Sequence, residues 1–482
     1  MSAFENDLVI RNGVLVTASE AVEADLAIRD GKVVAIGHRL SGAETIDAHG
    51  LLVFPGGVDP HVHLQYPQGP NRVVSADDWL TGTVAAAHGG TTTVIDFVEA
   101  GPDQGLMQAL VARSAQAAAE AVIDFSFHMT LNRADRDSLA EVPAVRAAGL
   151  QSFKLYMAYD NIRLTDAEML LALEAVAAQD GVAIVHAENH AVIMHLVQAQ
   201  LAAGHVEPRW HPATRPAAGE AEATERALAL AEIAGASMHI VHVTAARGLD
   251  AIRRFRERGQ RVSGEVCTQH LVLTEARYDQ PGFEPAKYCM APPLRTDVDL
   301  EAMWAGLRGG DLDFIVTDHC PFTLAQKRGQ RRTPEFRRLP EGTLASAPES
   351  PWSETTPPFH QIPGGGPGIE TRLPLIYHFG VTHGRLTLPE FVNLTSTAAA
   401  RRFGLYPRKG SLLPGADADL VVWDPTREVT LSAQTLHQNC DYTPYEGFQV
   451  TGWPQIVLSR GEVVIRDGIV LGRPGRGQFL AR

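Results

Sequence analysis

A chain of 482 residues with 45% hydrophobic and 20% charged residues has ordinary globular composition, which excludes a disordered or fibrous protein and leaves room for one large domain with a small one. Its formal charge of −14 at pH 7 opposes non-specific attraction to DNA or RNA, so no nucleic-acid partner is expected, and an anionic substrate would need a local positive site such as a metal. Cys267, Cys289, Cys320 and Cys440 form no CxxC pair, the start MSAFENDLVI lacks a basic and apolar leader, and no run reaches the ~18 apolar residues of a membrane span, so a soluble cytoplasmic protein in a reducing compartment is expected.

Residues 5–50 carry short alternating runs at 8–11, 14–17, 25–29 and 33–36, punctuated by Asn12-Gly13 and Asp30-Gly31, which are hairpin signals. His61-Val62-His63 follows an apolar run and the turn Pro55-Gly56-Gly57-Val58-Asp59-Pro60. Imidazoles at i and i+2 of an extended segment point to the same side, so both can grip one metal ion from a strand end. Counting 51–58 as the first, eight apolar or β-rich runs follow, the others at 91–98, 124–131, 152–159, 183–189, 238–245, 262–271 and 313–320. Amphipathic Ala-rich segments lie between them, at 76–88, 107–121, 165–179, 220–234 and 246–258. Near-continuous apolar strands alternating with helices are what a helix-covered parallel sheet requires, and eight of them predict a closed (β/α)8 TIM-type barrel.

Residues 322–368 are rich in Pro, Gly, Ser and Thr, with Lys327, Arg328, Arg331, Arg332, Arg337 and Arg338 in their first part. A loop this long after the eighth strand is either a lid or oligomer contact over the barrel mouth, or a solvated insertion. Residues 419–470 return to short strands, with Arg466-Asp467-Gly468 as a turn. Neither chain end alone has enough strands to bury a core, so the ends are expected to form one small β-sandwich, residues 1–54 with 411–482, beside a barrel of residues 55–410.

In such a barrel the site lies where the strands end. The polar residues there are His61 and His63 on the first run, Lys154 on the fourth, His186 on the fifth, His242 on the sixth and Asp318 on the eighth. One catalytic metal takes three or four protein ligands, so four histidines and an aspartate suit two ions better. A protonated Lys154 beside two cations would be repelled, so it must be neutral or converted, for instance to a carbamate able to bridge both ions. His128 and His270 are read as core or supporting residues, Asp96 as a backbone anchor and Cys320 as packing.

The ordered segments GGVDPHVH, SFKLYMAY, VHAEN, HIVHVTA, MAPPLR, VTDHCPF, GIETRLPL and KGSLLPGADADLVVWDP resemble the cyclic-amidohydrolase branch of the amidohydrolase superfamily, and most closely the D-hydantoinase and dihydropyrimidinase family. The resemblance covers nearly the whole chain. It implies that His61, His63 and Asp318 bind the more buried metal and His186 and His242 the other, with Lys154, as N6-carboxylysine, bridging them. Zinc is the metal it implies. A hydroxide between the ions would attack a ring amide carbonyl of a hydantoin or dihydropyrimidine, giving an N-carbamoyl amino acid. Asp318 would orient that hydroxide, take its proton and pass it to the leaving nitrogen, and Tyr159 would donate to the developing oxyanion.

Substrate contacts in the family are largely to main chain, and Ala291 and Gly364 stand where its usual serine and asparagine do. Tyr66, Pro67, Gln68, Gly69 and Pro70, with Tyr156, are expected to shape the pocket for the ring substituent. Allantoinase is the nearest rival reading. Dihydroorotase is disfavoured, because its family follows His-x-His with an arginine at the position of Gln65. Non-enzymatic dihydropyrimidinase-related scaffold proteins have lost metal ligands, whereas this chain keeps all six. The family also implies a homotetramer or homodimer, with the segment after Pro444 at the subunit contacts.

Overall fold

The computed structural model describes residues 6–68, 73–329 and 357–482. Eight parallel strands, Gly57–Val62, Thr91–Glu99, Asp124–Thr130, Ser152–Tyr156, Val182–His186, Ser237–Ile240, Val262–Cys267 and Phe314–Val316, pair side by side in chain order. A parallel bridge between Val62 and His319 and a 2.8 Å hydrogen bond from His63 N to His319 O join the eighth strand's exit to the first. The result is a (β/α)8 barrel. Its strands are buried almost end to end, which is why they read as apolar runs rather than alternating ones. The covering helices show the complementary pattern: in Ala246–Glu257, Leu249, Ile252 and Phe255 are buried while Arg254 and Glu257 are exposed.

The apolar run 51–58 is not one strand. Leu52–Pro55 pairs with Leu8–Val16 and Leu420–Thr430, and the barrel strand starts only at Gly57. The switch occurs at Gly56, whose N–H donates to Asp419 O at 2.8 Å while Gly57 N donates to Gly90 O at 2.9 Å. A Cβ at Gly56 would lie 2.0 Å from Thr92 Oγ1, so only glycine lets the chain pass. Other strands also end sooner than their apolar runs: the sixth stops at Ile240 and the eighth at Val316, leaving His242 and Asp318 on the loops beyond.

The two chain ends meet in one nine-stranded sheet. Its order is Ile469–Val470, Glu462–Arg466, Gln449–Ser459, Leu420–Thr430, Leu52–Pro55, Leu8–Val16, Ala21–Arg29 and Lys32–Gly37, with Glu44–Asp47 also on Leu8–Val16. The expected sandwich is therefore a continuous sheet that curls over its own core. The edge strand reaches round to the chain before Leu420, where Val33 N donates to Ala416 O at 3.0 Å. One face encloses Ile10, Leu26, Val53, Leu420 and Leu458, and the other adds Leu52, Phe54, Val421 and Trp423 to the barrel core.

A buried charge cluster marks the junction: Lys409 Nζ lies 2.6 Å from Asp124, 2.7 Å from Asp419 and 3.0 Å from Asp417. Among the described residues no helix is long and apolar enough to cross a membrane. Most of the insertion expected at 322–368, with Arg331, Arg332, Arg337 and Arg338, lies outside the described residues, as do Gly69 and Pro70.

Candidate active site

His61 and His63 leave the first barrel strand on one side, as their i, i+2 spacing requires, and both Nε2 atoms face Asp318 Oδ1, at 3.1 and 3.0 Å. Asp318 has a left-handed backbone, φ 52, a conformation that aspartate tolerates better than most residues. Behind His61 stands Glu265, with Oε1 2.5 Å from His61 Nδ1 and Oε2 3.0 Å from His239 Nε2. His239 is itself held by Ser263 Oγ at 2.8 Å. Burial pushes the Glu265 carboxyl up, but the charge of His61 and the hydrogen bonds from His239 and His61 outweigh it and hold the group at about 2. Asp318 is likewise held well below the usual carboxylate range, its burial outweighed by His61 and His63. An ionised Glu265 accepts a hydrogen bond from His61 Nδ1–H, which leaves Nε2 as the nitrogen facing Asp318; burial lowers this imidazole, but the charges of Asp318 and Glu265 outweigh it and push it up to about 9, so a metal ion at Nε2 would take the place of a proton.

A second pair faces the first. His186 Nδ1 is 2.9 Å from His242 Nε2, and the other nitrogen of His186 is 2.7 Å from Glu188 Oε2. Burial lowers both imidazoles, that of His242 strongly, so they stay in the neutral form that binds metals. With His186 Nε2–H donating to Glu188, the Nδ1 lone pair of His186 points at His242. Glu188 also pairs with Arg215, whose guanidinium carbon lies 5.6 Å from the Tyr159 ring centroid. Tyr159 and His242 share the left-handed backbone of Asp318, at φ 76 and 38. Such conformations persist only where the surroundings over-determine them, and three of them occur in one site.

Lys154 is 1% exposed, with Nζ 5.1 Å from the ring centroids of both Phe97 and Tyr156. Burial pulls its amine down to about 8, against the opposing charges of Asp318 and Glu265. His61 and His242 lie 5.6 Å apart between ring centroids, which brings the two groups together.

These residues fit a metal centre on their own chemistry. The donor atoms of His61, His63 and Asp318 lie within 4.8 Å of one another. Two inward nitrogens face each other on His186 and His242, and imidazole with carboxylate is a divalent-metal donor set. A second group, His88, Glu370 and His437, is different: its two imidazoles stack 3.4 Å apart with planes 4° from parallel, so no single ion can lie in both ring planes.

Ala291 lies in a tethered segment. Cys289 O accepts from Gly365 N at 3.0 Å, Met290 O is 2.7 Å from His211 Nε2 and Pro292 O is 3.3 Å from His270 Nε2. The N–H and C=O of Ala291 take no hydrogen-bond partner among the described residues. Gly364 O accepts from Gln68 Nε2 at 2.7 Å, and a Cβ at Gly364 would meet open space. Tyr66 stands beside His63, ring centroids 5.0 Å apart, and its hydroxyl donates to Glu99 at 2.6 Å.

Asp96 accepts from Leu64 N and Phe97 N, at 2.8 and 2.6 Å, and so anchors the chain just past His63. His128 is tied to Pro60 O and Ser152 inside the barrel, and Cys320 packs with Val73 and Phe322. Sequence reasoning missed Glu265, His239, Glu188 and Arg215. A glutamate inside the apolar strand Val262–Cys267 was the available signal for the first, and the i+2 position of Glu188 after His186 for the third.

Comparison with known proteins agrees with this site. Residues 52–464 match the Amidohydrolase family. The chain is 43% identical over 478 residues to the D-hydantoinase of Geobacillus stearothermophilus, covering 98% of this chain and 96% of that protein. Among solved structures, a D-hydantoinase superposes with TM-score 0.91 at 41% identity, over 98% of both chains. The dihydropyrimidinase of Brevibacillus agri NCHU1002 superposes with TM-score 0.91 at 39% identity, also over 98% of both. With barrel, strand-end donors and full-length likeness in agreement, the chain belongs to the amidohydrolase family, in its D-hydantoinase and dihydropyrimidinase branch.

Proposed function

We propose that this protein hydrolyses the cyclic amide bond of hydantoins or dihydropyrimidines to N-carbamoyl amino acids. The observation that carries the reading is the pair of facing donor groups, His61, His63 and Asp318 on one side and His186 and His242 on the other, with buried Lys154 among them. In this reading the first group would hold one divalent ion and the second group another. Ions there, zinc by the family likeness, would polarise the ring carbonyl and make a water acidic enough to attack it.

The chain's own residues do the rest. A carbamate on Lys154, made from its neutral amine and CO2 by forming an N–C bond with loss of one proton, would supply an anionic donor between the two groups. Asp318 accepts a proton from the attacking water and hands it to the ring nitrogen as the C–N bond breaks. Tyr159 donates its hydroxyl to the carbonyl oxygen as that oxygen gains charge, and Arg215, pinned by Glu188, holds the tyrosine ring. The main chain at Ala291 and Gly364 binds the ring's amide groups, while Tyr66, Pro67, Gln68 and Tyr156 border its substituent.

The same reading assigns residues 1–54 with 411–482 to one domain and 55–410 to the catalytic one, a homotetramer or homodimer to the assembly, and the cytoplasm to its location. All four cysteines are buried and unpaired, which suits a reducing compartment. Light scattering tests the assembly. A turnover panel of hydantoin, 5-substituted hydantoins, dihydrouracil, dihydroorotate and allantoin, after zinc and bicarbonate loading, tests the activity. Protein that binds two metals per chain and opens none of these rings would sink the assignment.

A further inference from the structure

Lys327 ends the short helix Leu324–Lys327 and is completely buried. Its ammonium meets no carboxylate among the described residues. It donates instead to three main-chain carbonyls, Gly365 O at 2.9 Å, Pro363 O at 3.0 Å and Cys289 O at 3.2 Å. Three N–H donors thus meet three acceptors, the full complement of a lysine. Burial pulls the amine down to about 8, so the position bears an electrostatic cost that an apolar side chain of the same length would avoid. What the cation supplies is a tie between two segments.

Both segments flank the positions assigned above to ring recognition. Cys289 stands two residues before Ala291, and its carbonyl accepts from Lys327 and from Gly365 N at once. Pro363 and Gly365 bracket Gly364, whose carbonyl is held from the other side by Gln68. Gly365 also abuts the exit of the eighth strand, since a Cβ there would lie 2.4 Å from Cys320 O, two residues past Asp318. One ammonium therefore ties the segment that follows the eighth strand to the main chain at Cys289, Pro363 and Gly365.

We propose that Lys327 is a positioning residue for substrate binding: its ammonium sets the spacing between the main chain at Ala291 and at Gly364. The proposal rests on the functional reading above for what those segments bind. Lys327→Met keeps the apolar stem and removes all three donors. In metal-loaded holoenzyme it is expected to raise KM for the ring substrate about tenfold while kcat stays within about threefold, the pattern of lost uniform binding. Hydrogen exchange at Gly365 N–H is expected to quicken by about tenfold or more. Lys327→Gln, which retains two N–H donors, should fall between variant and wild type in both readouts, and it decides the matter if Lys327→Met does not fold. A wild-type KM with wild-type exchange at Gly365, or a loss confined to kcat, overturns the proposal. If no ring in the panel is opened by the wild type, the functional reading has failed, and exchange at Gly365 still tests the clamp by itself.

Discussion

Glu265 holds His61 by its outer nitrogen, at 2.5 Å, while its second oxygen is braced at 3.0 Å by His239. A carboxylate behind a ligating imidazole fixes its tautomer and raises its basicity, and losing one typically costs 10- to 100-fold in metal affinity. Glu265→Gln keeps shape and removes charge. Metal affinity, measured by chelator competition, is expected to fall by about 10- to 100-fold; unchanged affinity would show that Glu265 is only a packing residue.

His186 offers the second group its inward nitrogen, 2.9 Å from His242. His186→Ala is expected to lose most activity and about half the bound metal, because the first group has its own donors. Elemental analysis of the folded variant against wild type is the check, and full metal content in an inactive variant would contradict the two-group reading.

Tyr159 sits at φ 76 under the Arg215 guanidinium. If its hydroxyl serves the developing oxyanion, Tyr159→Phe should lower kcat about 100-fold with KM little changed. Arg215→Met should give a smaller loss in kcat, because the tyrosine remains but is no longer held. Equal losses in KM and none in kcat for Tyr159→Phe would assign the residue to binding alone.

Lys409 neutralises a cluster in which Asp124, Asp417 and Asp419 are all buried. Lys409→Met removes the one cation that all three carboxylates share, leaving Asp417 with Lys32 and Arg408 and Asp124 with Arg460, and is expected to cost about 3–5 kcal/mol in denaturant unfolding. The pH dependence follows from Asp417, whose burial is outweighed by Lys409 and Lys32 so that its folded pKa falls to about 2 from 3.8. A depressed carboxylate stabilises the fold above its unfolded pKa and loses that contribution as pH falls through the folded one. Wild-type stability should therefore decline between about pH 4 and about pH 2 more steeply than that of Lys409→Met. Parallel acid profiles would exclude this origin.

Gly364 has an ordinary backbone conformation, and a side chain there would extend into open space. Gly364→Asn should fold with Tm within about 2 °C of wild type. It should lower KM for the unsubstituted ring by up to about tenfold, because an amide can add a hydrogen bond at the recognition site. Calorimetry and kinetics check the two parts separately; a large fall in Tm would mean that the glycine is needed for the fold.

Much of the barrel was legible because burial on both faces forces its strands to be apolar throughout, so eight runs could be counted in order. The run at 51–58 misled for the same reason. It serves two sheets in succession, and the switch depends on the approach of Gly56 to Thr92, which no local pattern displays. The curl of the nine-stranded sheet was equally hidden, since it depends on Val33 meeting Ala416 from the far end of the chain. Lys327 read as one base in a polar stretch, and only the fold turned it inward onto three carbonyls.

By itself the sequence determined the chemical kinds of the site: four histidines, a lysine and an aspartate at the ends of five of its eight apolar runs, because ligand type and strand periodicity are local properties. The tertiary structure alone decided which nitrogen of His61 and which of His186 faces inward. That choice is made by the proton's other partner, Glu265 for His61 and Glu188 for His186, and the first of these lies 204 positions from the ring it holds. Orientation of a donor is a property of the assembled barrel, since closing the barrel is what brings that carboxylate to that ring.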